Sequence, residues 1–383
     1  MIRRWFVTVA ARGVTCAKAV SPQMIREWLK TGIVNGVTSA VAVSLKIRRE
    51  WLTIIVAIGV TCAVGVSLLC LIFFNYANSP IDFVYREVTI EIPRGVSFAE
   101  TAEILEEAGL IRHKKGFFIL ALVTGASKHV QAGEYDLRSS MSPMTVLKKL
   151  VKGKVKGYQV FIPEGFTLRQ IATRLENQGL ADKEMFISLA SDSRLLLSLG
   201  IEGDSAEGYL FPDTHTLNKS MGEEGIIRFM VRQFRKAIPP DMLERAHELG
   251  LTEGEVVTLA SIIEKEGGPK EEKPLISAVF HNRLKRGMRL QSDPTVIYGI
   301  EDFDGNLRKK DLERKTPYNA YRIKGLPPGP ICNPGVEAIE TALPPASVNF
   351  LYFVSKNNGS HHFSSTLVDH NRAVIKYQIK RKK

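Results

Sequence analysis

Residues 52–74 form a run of about 23 residues without a charged side chain, long enough to cross the hydrocarbon core of a bilayer as one helix. Such a run commits that part of the chain to a spanning or fully buried helix and divides the chain around it. Lys46, Arg48 and Arg49 precede it, and residues 75–82 follow it with no Lys or Arg. The positive-inside rule then puts the N-terminus in the cytoplasm and everything after about residue 76 outside. A cleaved signal peptide is the alternative. The length of the run and its depth in the chain favour an uncleaved single-pass anchor over residues 51–75.

Residues 1–50 carry nine Lys/Arg against two acids and therefore +7 of the formal net charge of +12. This Arg-rich, acid-poor stretch reads as a poorly ordered cytoplasmic tail. An organelle transit peptide, or an over-extended start with Met24 as the initiator, fits the same composition. The whole chain has 383 residues, enough for two or three domains. No dense basic helix is interleaved with aromatics, so nucleic acid is not an expected partner. Of the cysteines (Cys16, Cys62, Cys70 and Cys332), only Cys332 lies beyond the membrane run, which leaves no disulfide and no cysteine metal site there.

A repeat follows the anchor. Ile92-Pro93, Gly95, Ala102, Leu105, Glu106, Gly109 and Leu110 recur seventy residues on as Ile162-Pro163, Gly165, Ala172, Leu175, Glu176, Gly179 and Leu180. Each copy predicts a short strand, an Ile-Pro-x-Gly turn, an N-cap (Ser97, Thr167), an amphipathic helix and a glycine stop. This is the opening half of a small β-α-α-β module, serving either to bind glycan or to space an active domain from the membrane. Residues 132–137 read as a strand and 142–151 as a helix. Helical patterns cover 183–191, 222–238, 240–249 and 274–285. A β-hairpin is expected from 351–354 and 362–364, then a helix over 367–377. The fold class is mixed α+β.

The stretch Thr252–Pro269 carries the strongest chemical signal. Thr252 and Glu255 have capping-box spacing. Val256, Leu259, Ala260 and Ile263 recur at helical spacing, and Gly267-Gly268-Pro269 ends the helix just after Glu264-Lys265-Glu266. A carboxyl at that end meets apolar packing and the negative end of the helix dipole. Both favour the protonated form that a general acid needs. At about 100° per residue the two glutamates fall on opposite edges of the buried stripe, so periodicity alone does not choose between them. Glu207, Asp213 and Asp293 are candidate partner carboxylates, with Gln291, Tyr318 and Asn319 as hydrogen-bonding groups. The aromatic segment 207–214 has the composition of a sugar-lining loop. Neither HExxH spacing nor a G-x-S-x-G elbow occurs, so neither a metal site nor a serine nucleophile is expected.

The ordered set Glu207-Gly-Tyr-Leu-Phe-Pro-Asp-Thr, Ala260-Ser-Ile-Ile-Glu-Lys-Glu, Phe280-His-Asn-Arg-Leu, Met288-Arg-Leu-Gln-Ser-Asp-Pro-Thr-Val-Ile-Tyr-Gly, Thr316-Pro-Tyr-Asn-Ala-Tyr and Gly325-Leu-Pro-Pro-Gly-Pro-Ile closely resembles the MltG-type (YceG-like) endolytic murein transglycosylases over about residues 52–378. The resemblance implies cleavage inside peptidoglycan strands between N-acetylmuramic acid and N-acetylglucosamine, leaving a 1,6-anhydro end. It implies a LysM-like module over 83–157 and a catalytic domain over 158–383. It assigns the acid to Glu266, the second glutamate of its motif; Glu207, Gln291, Asp293, Tyr318 and Asn319 are then expected to position sugar or orient Glu266. It calls for no cofactor, and it implies association with wall-synthesis enzymes. His215 stands where the family usually has an aromatic residue, and residues 1–45 match nothing in it.

Overall fold

The computed structural model describes residue 23 and residues 33–82, 85–343 and 345–379; the expectations for residues 1–22 and 24–32 lie outside the described residues. The apolar run is part of one helix, α1 (Ile33–Asn78). Its Trp51–Asn78 portion is long and apolar enough to cross a membrane and is not buried in protein. The helix starts earlier than the composition suggests, so residues 33–50 are helical rather than tail. They contain no proline, and a helix once nucleated by a long apolar segment extends at little cost. Contacts divide the chain into a first unit, Met1–Pro80 with Ser142–Met144, and a second, Ile81–Met141 with Thr145–Lys383.

In the second unit the repeat appears as a repeated architecture. β1 (Glu87–Ile92) leads into α2 (Phe98–Glu107) and α3 (Lys114–Val123), and β2 (Gly133–Arg138) returns antiparallel to β1, with Glu87 opposite Arg138. α4 (Pro143–Val151) follows. β3 (Tyr158–Phe161) then leads into α5 (Leu168–Asn177), α6 (Lys183–Leu189) and α7 (Ser193–Ser198) before β4 (Thr214–Leu217) pairs antiparallel with β3. Ser97 with Glu100, and Thr167 with Gln170, form complete capping boxes at α2 and α5. Each satisfies two backbone N–H groups at the start of its helix. β4 begins at Thr214, where the sequence reads as loop. His215 lies inside it, buried, its Nε2 2.7 Å from the Phe211 carbonyl and its ring edge-on to Phe229.

The rest is mainly helical: α8 (Gly222–Ala237), α9 (Met242–Glu248), α10 (Glu253–Glu266), α11 (Lys273–Lys285), α12 (Asp293–Tyr298), α13 (Lys309–Glu313) and α14 (Val336–Thr341). The expected hairpin forms from β5 (Tyr352–Ser355) and β6 (His361–Ser364). The chain continues into α15 (Leu367–Val374), which passes into a π-helical turn, Ile375–Ile379. One hydrophobic core runs from Val160 to Leu343.

α10 passes through the middle of that core. The sequence predicts a single buried stripe, but every residue from Val256 to Ile263 is buried, as in a helix packed on all sides. Its polar residues go inward because their hydroxyls are satisfied locally. Thr258 Oγ1 donates to the Gly254 carbonyl at 2.7 Å and Ser261 Oγ to the Thr258 carbonyl at 2.7 Å. The Ile331 N–H also donates to Ser261 Oγ at 3.0 Å, tying the later Pro-rich loop to the helix.

Candidate active site

The Thr252–Glu255 capping box fixes the start of α10, and Gly267, at φ +70°, ends it. The two glutamates of the last turn point to different surroundings. Glu264 lies 3.6 Å from Lys273 Nζ, and Lys273 is itself shared with Glu337 at 3.8 Å. Burial raises the pKa of Glu264 and the Lys273 ammonium opposes the rise. The net direction is upward, as it is for Glu266, but Glu264 has an ammonium as its ion-pair partner.

Glu266 is half-buried. Its Oε1 accepts a 2.5 Å hydrogen bond from Ser292 Oγ, and Ser292 is itself buried. Burial pushes the Glu266 pKa up to about 7; the Ser292 hydrogen bond opposes this, the Asp293 carboxylate adds to it, and the Arg283 guanidinium opposes it. A carboxylic acid that is part protonated near neutral pH can donate a proton and then take one back. The packing therefore separates the two glutamates where helical periodicity does not.

Three side chains of α11 hold the frame around Glu266. His281 Nε2 lies 3.0 Å from the Ala342 carbonyl. Asn282 Nδ2 donates to the Val348 and Phe350 carbonyls at 2.8 and 3.0 Å. Arg283, buried, donates from Nε to the Leu351 carbonyl and from Nη1 to the Leu290 carbonyl, both at 2.7 Å, and from Nη1 to Gln291 Oε1 at 3.2 Å. The Phe-His-Asn-Arg motif thus fastens two loops, the one after α11 and the one between α14 and β5, to one helix.

Gln291 has φ +52°, a left-handed conformation that costs a non-glycine residue about 1–2 kcal/mol. Its N–H donates to the Ala320 carbonyl at 3.1 Å. Thr295 Oγ1 donates to the Ser292 carbonyl at 2.6 Å and accepts from the Ala320 N–H at 3.3 Å. Tyr321 donates its hydroxyl to Asp293 Oδ1 at 2.7 Å. The Gln291–Thr295 and Thr316–Tyr321 segments are thereby stitched together beside Glu266.

Of the residues singled out from the sequence, Gln291 and Asp293 stand with Glu266. The others are placed differently. Asn319 is fully buried, and its Nδ2 donates to the carbonyls of Asp311, Leu312 and Arg314 at 3.4, 3.1 and 2.6 Å. It holds the turn that presents Tyr318. Tyr318 is half-buried and packs on Tyr298, with ring centroids 4.9 Å apart. Glu207 is 2% exposed. It accepts from the Leu168 N–H at 2.9 Å, from Asn333 Nδ2 at 2.8 Å and from the Tyr298 hydroxyl at 3.1 Å. Burial raises its pKa to about 7 against these hydrogen bonds. Glu207 stands inside the wall, as a cap on α5 and an anchor for Tyr298. Next to it, Gly208 has no room for a side chain, because a Cβ there would come within 2.5 Å of Pro330. Sequence reasoning missed Ser292, Arg283, Tyr298 and Tyr321 as site residues, although all four lie inside the quoted motifs.

The YceG-like family model matches residues 90–376. The chain belongs to the YceG-like family. It is 34% identical to a Bacillus subtilis protein named endolytic murein transglycosylase, over 79% of this chain and 89% of that one. It is 34% identical to a Streptococcus pneumoniae protein of the same name, over 78% of this chain and 60% of that one. Among solved structures it is similar to a YceG-like protein of Listeria monocytogenes, with 32% identity, a TM-score of 0.52, and coverage of 76% of this chain and all of the other.

Proposed function

We propose that this YceG-like protein is an endolytic murein transglycosylase that cuts peptidoglycan strands internally, with Glu266 as its acid and then its base. The observation that carries the reading is the Glu266 carboxyl, raised to a pKa of about 7 by burial at the end of α10, with Ser292 donating to one oxygen. Ser292 occupies Oε1, so Oε2 carries the proton. That proton passes to the oxygen joining N-acetylmuramic acid to N-acetylglucosamine as the C1–O bond breaks. The N-acetyl group of the muramyl sugar assists at C1. The carboxylate left behind takes the proton from the muramyl 6-hydroxyl, whose oxygen closes on C1 to give the 1,6-anhydro ring. One group serves both steps, and no water is consumed.

In this reading Gln291, Asp293 and Tyr318 meet the sugars, while Glu207 and Asn319 position Tyr298 and Tyr318 from behind. α1 acts as the single membrane anchor, with the N-terminus cytoplasmic and the catalytic domain, residues 158–383, on the wall side. Residues 83–157 act as a LysM-like module. A cavity of about 380 Å³ between residues 92–98 and 127–132 offers a strand a place to lie. Cutting nascent strands next to the membrane would end their growth and bring the protein beside wall synthases.

The test is mass spectrometry of strands digested with wild type and with Glu266→Gln. Anhydro ends, about 18 Da lighter than reducing ends, are expected from wild type and absent from the variant. Reducing ends from wild type would mean that water attacks and the transglycosylase reading is wrong.

A further inference from the structure

A second cavity lies on the two loops that build the site, outside the contacts described so far. Its volume is about 410 Å³, and Arg289, Lys315, Thr316, Pro317, Arg322 and Ile323 line it. Three of these six side chains are cations and none is an acid. All three cations are exposed. Each lies more than 4 Å from every carboxylate among the described residues, outside the ion pairs found elsewhere in the molecule. Three unneutralised cations around one hollow repel one another, and an anion seated among them removes that cost.

The backbone around the hollow is fixed. The Arg289 carbonyl accepts from Arg283 Nη1 at 3.3 Å. The Arg322 N–H donates to the Asn319 carbonyl at 2.8 Å, and the Asn319 N–H to the Thr316 carbonyl at 3.1 Å. Arg289 precedes Gln291 by two residues, and Lys315 and Arg322 bracket Tyr318 and Tyr321. The charges therefore sit beside the glycosidic site on the elements that form it.

We infer that this cavity receives the anionic peptide borne by the substrate strand, its cations pairing with the peptide carboxylates. The inference rests on the proposed substrate. N-acetylmuramic acid carries a peptide through its lactyl group, so a muramyl unit next to Glu266 brings carboxylates to one side of the cleavage point. The Lys315 ammonium acts as a point charge, while the planar guanidiniums of Arg289 and Arg322 suit carboxylates. Their contribution falls with salt.

The experiment measures equilibrium binding of fluorescently labelled strands to the full-length protein in detergent. The protein carries Glu266→Gln, so binding is read without turnover. Two strand preparations are compared: one with intact peptides, and one from which an amidase has removed the peptides and left the lactyl carboxylate. The charge-neutral triple variant Arg289→Gln/Lys315→Gln/Arg322→Gln is expected to bind intact strands about 10-fold more weakly, from three exposed pairs of modest strength each. On stripped strands it is expected to match its parent within about twofold, and the parent itself should lose about 10-fold on going from intact to stripped strands. Because the three side chains are exposed, the melting temperature should stay within about 2 °C, and Arg322→Gln alone should show a partial loss. Equal losses on both strands would place the cations on the glycan. Parent-like binding to intact strands would show that the cavity takes no part. Inorganic pyrophosphate competing equally with both strands would make it a phosphate site. Each of these results overturns the proposal, and none depends on the cleavage assay that tests the Glu266 reading.

Discussion

At the scale of one residue, the proposed chemistry rests on how the protein treats the Glu266 proton. Burial raises the folded-state pKa to about 7 from the ordinary value of 4.5. The acid step needs the protonated form, so kcat/KM should fall tenfold per pH unit above about 7, measured on soluble strands between pH 5 and 9. The same shift has a stability consequence of known sign. Between pH 4.5 and 7 the folded state holds more protons at this position than the unfolded state, so stability falls as pH rises through that window and the cost persists above it. The full shift corresponds to about 3 kcal/mol, and partial access of the residue to water reduces this to about 1–2 kcal/mol. Glu266→Gln removes the titration. The variant should melt at the parent's temperature at pH 4.5 and several degrees higher at pH 8, while losing at least about 10³-fold in rate. A variant that melted lower than its parent at pH 8 would show that the charged carboxylate is not penalised there.

At the scale of elements, α11 matters for what it holds in place. Arg283 is 7% exposed and donates to the carbonyls of Leu290 and Leu351. Arg283→Met would leave both carbonyls buried without a donor and free the loop that carries Gln291 and Ser292. The expected loss is about 3 kcal/mol in urea unfolding and at least about tenfold in kcat, since a misplaced Ser292 no longer seats Glu266. Unchanged stability would mean that water or a neighbour replaces the guanidinium, and the element would not have the fastening role given to it. Much of this architecture was legible beforehand. The capping boxes at Ser97, Thr167 and Thr252 are local signals, and so is the end of α10 at Gly267. What could not be read was which polar residues face inward. Glu207 and Asp293 look alike in sequence, each in an aromatic, glycine- or proline-punctuated segment, yet one caps α5 at 2% exposure and the other lies open beside Glu266. That difference depends on Asn333 and Tyr298 arriving from 126 and 91 residues away. β4 escaped notice for a related reason: Thr214–Leu217 is four residues long and is a strand only because β3 lies beside it.

At the scale of the whole molecule, the repeated halves are joined through Glu134 on β2. Its Oε2 accepts from the Tyr158 hydroxyl at 2.7 Å and pairs with Lys219 Nζ at 3.3 Å, while its carbonyl accepts from the Lys156 N–H at 2.6 Å. Glu134→Ala removes the two side-chain links and keeps the backbone one. It should cost about 1–2 kcal/mol in unfolding and leave kcat on short strands within about twofold, because the groups that shift the Glu266 pKa all lie between Arg283 and Asp293.

As the proposed anchor, α1 acts through concentration and leaves the chemistry unchanged. Glu266, Ser292, Arg283 and Asp293 all belong to the second unit, which begins at Ile81. A chain cut between Pro80 and Ile81 therefore keeps its site but loses the helix proposed to confine it to a surface. If that helix sits in the same bilayer as a growing strand, enzyme and substrate meet at an effective concentration near the millimolar range; a released enzyme at nanomolar concentration must find the strand by diffusion. The released chain should cut free strands with kcat within about twofold of the full-length protein. On strands tethered in liposomes, at equal nanomolar enzyme, it should be slower by at least about 10²-fold. Equal rates on tethered strands would show that α1 does no more than retain the protein at the membrane, and that cleavage next to the bilayer is directed by another part of the molecule.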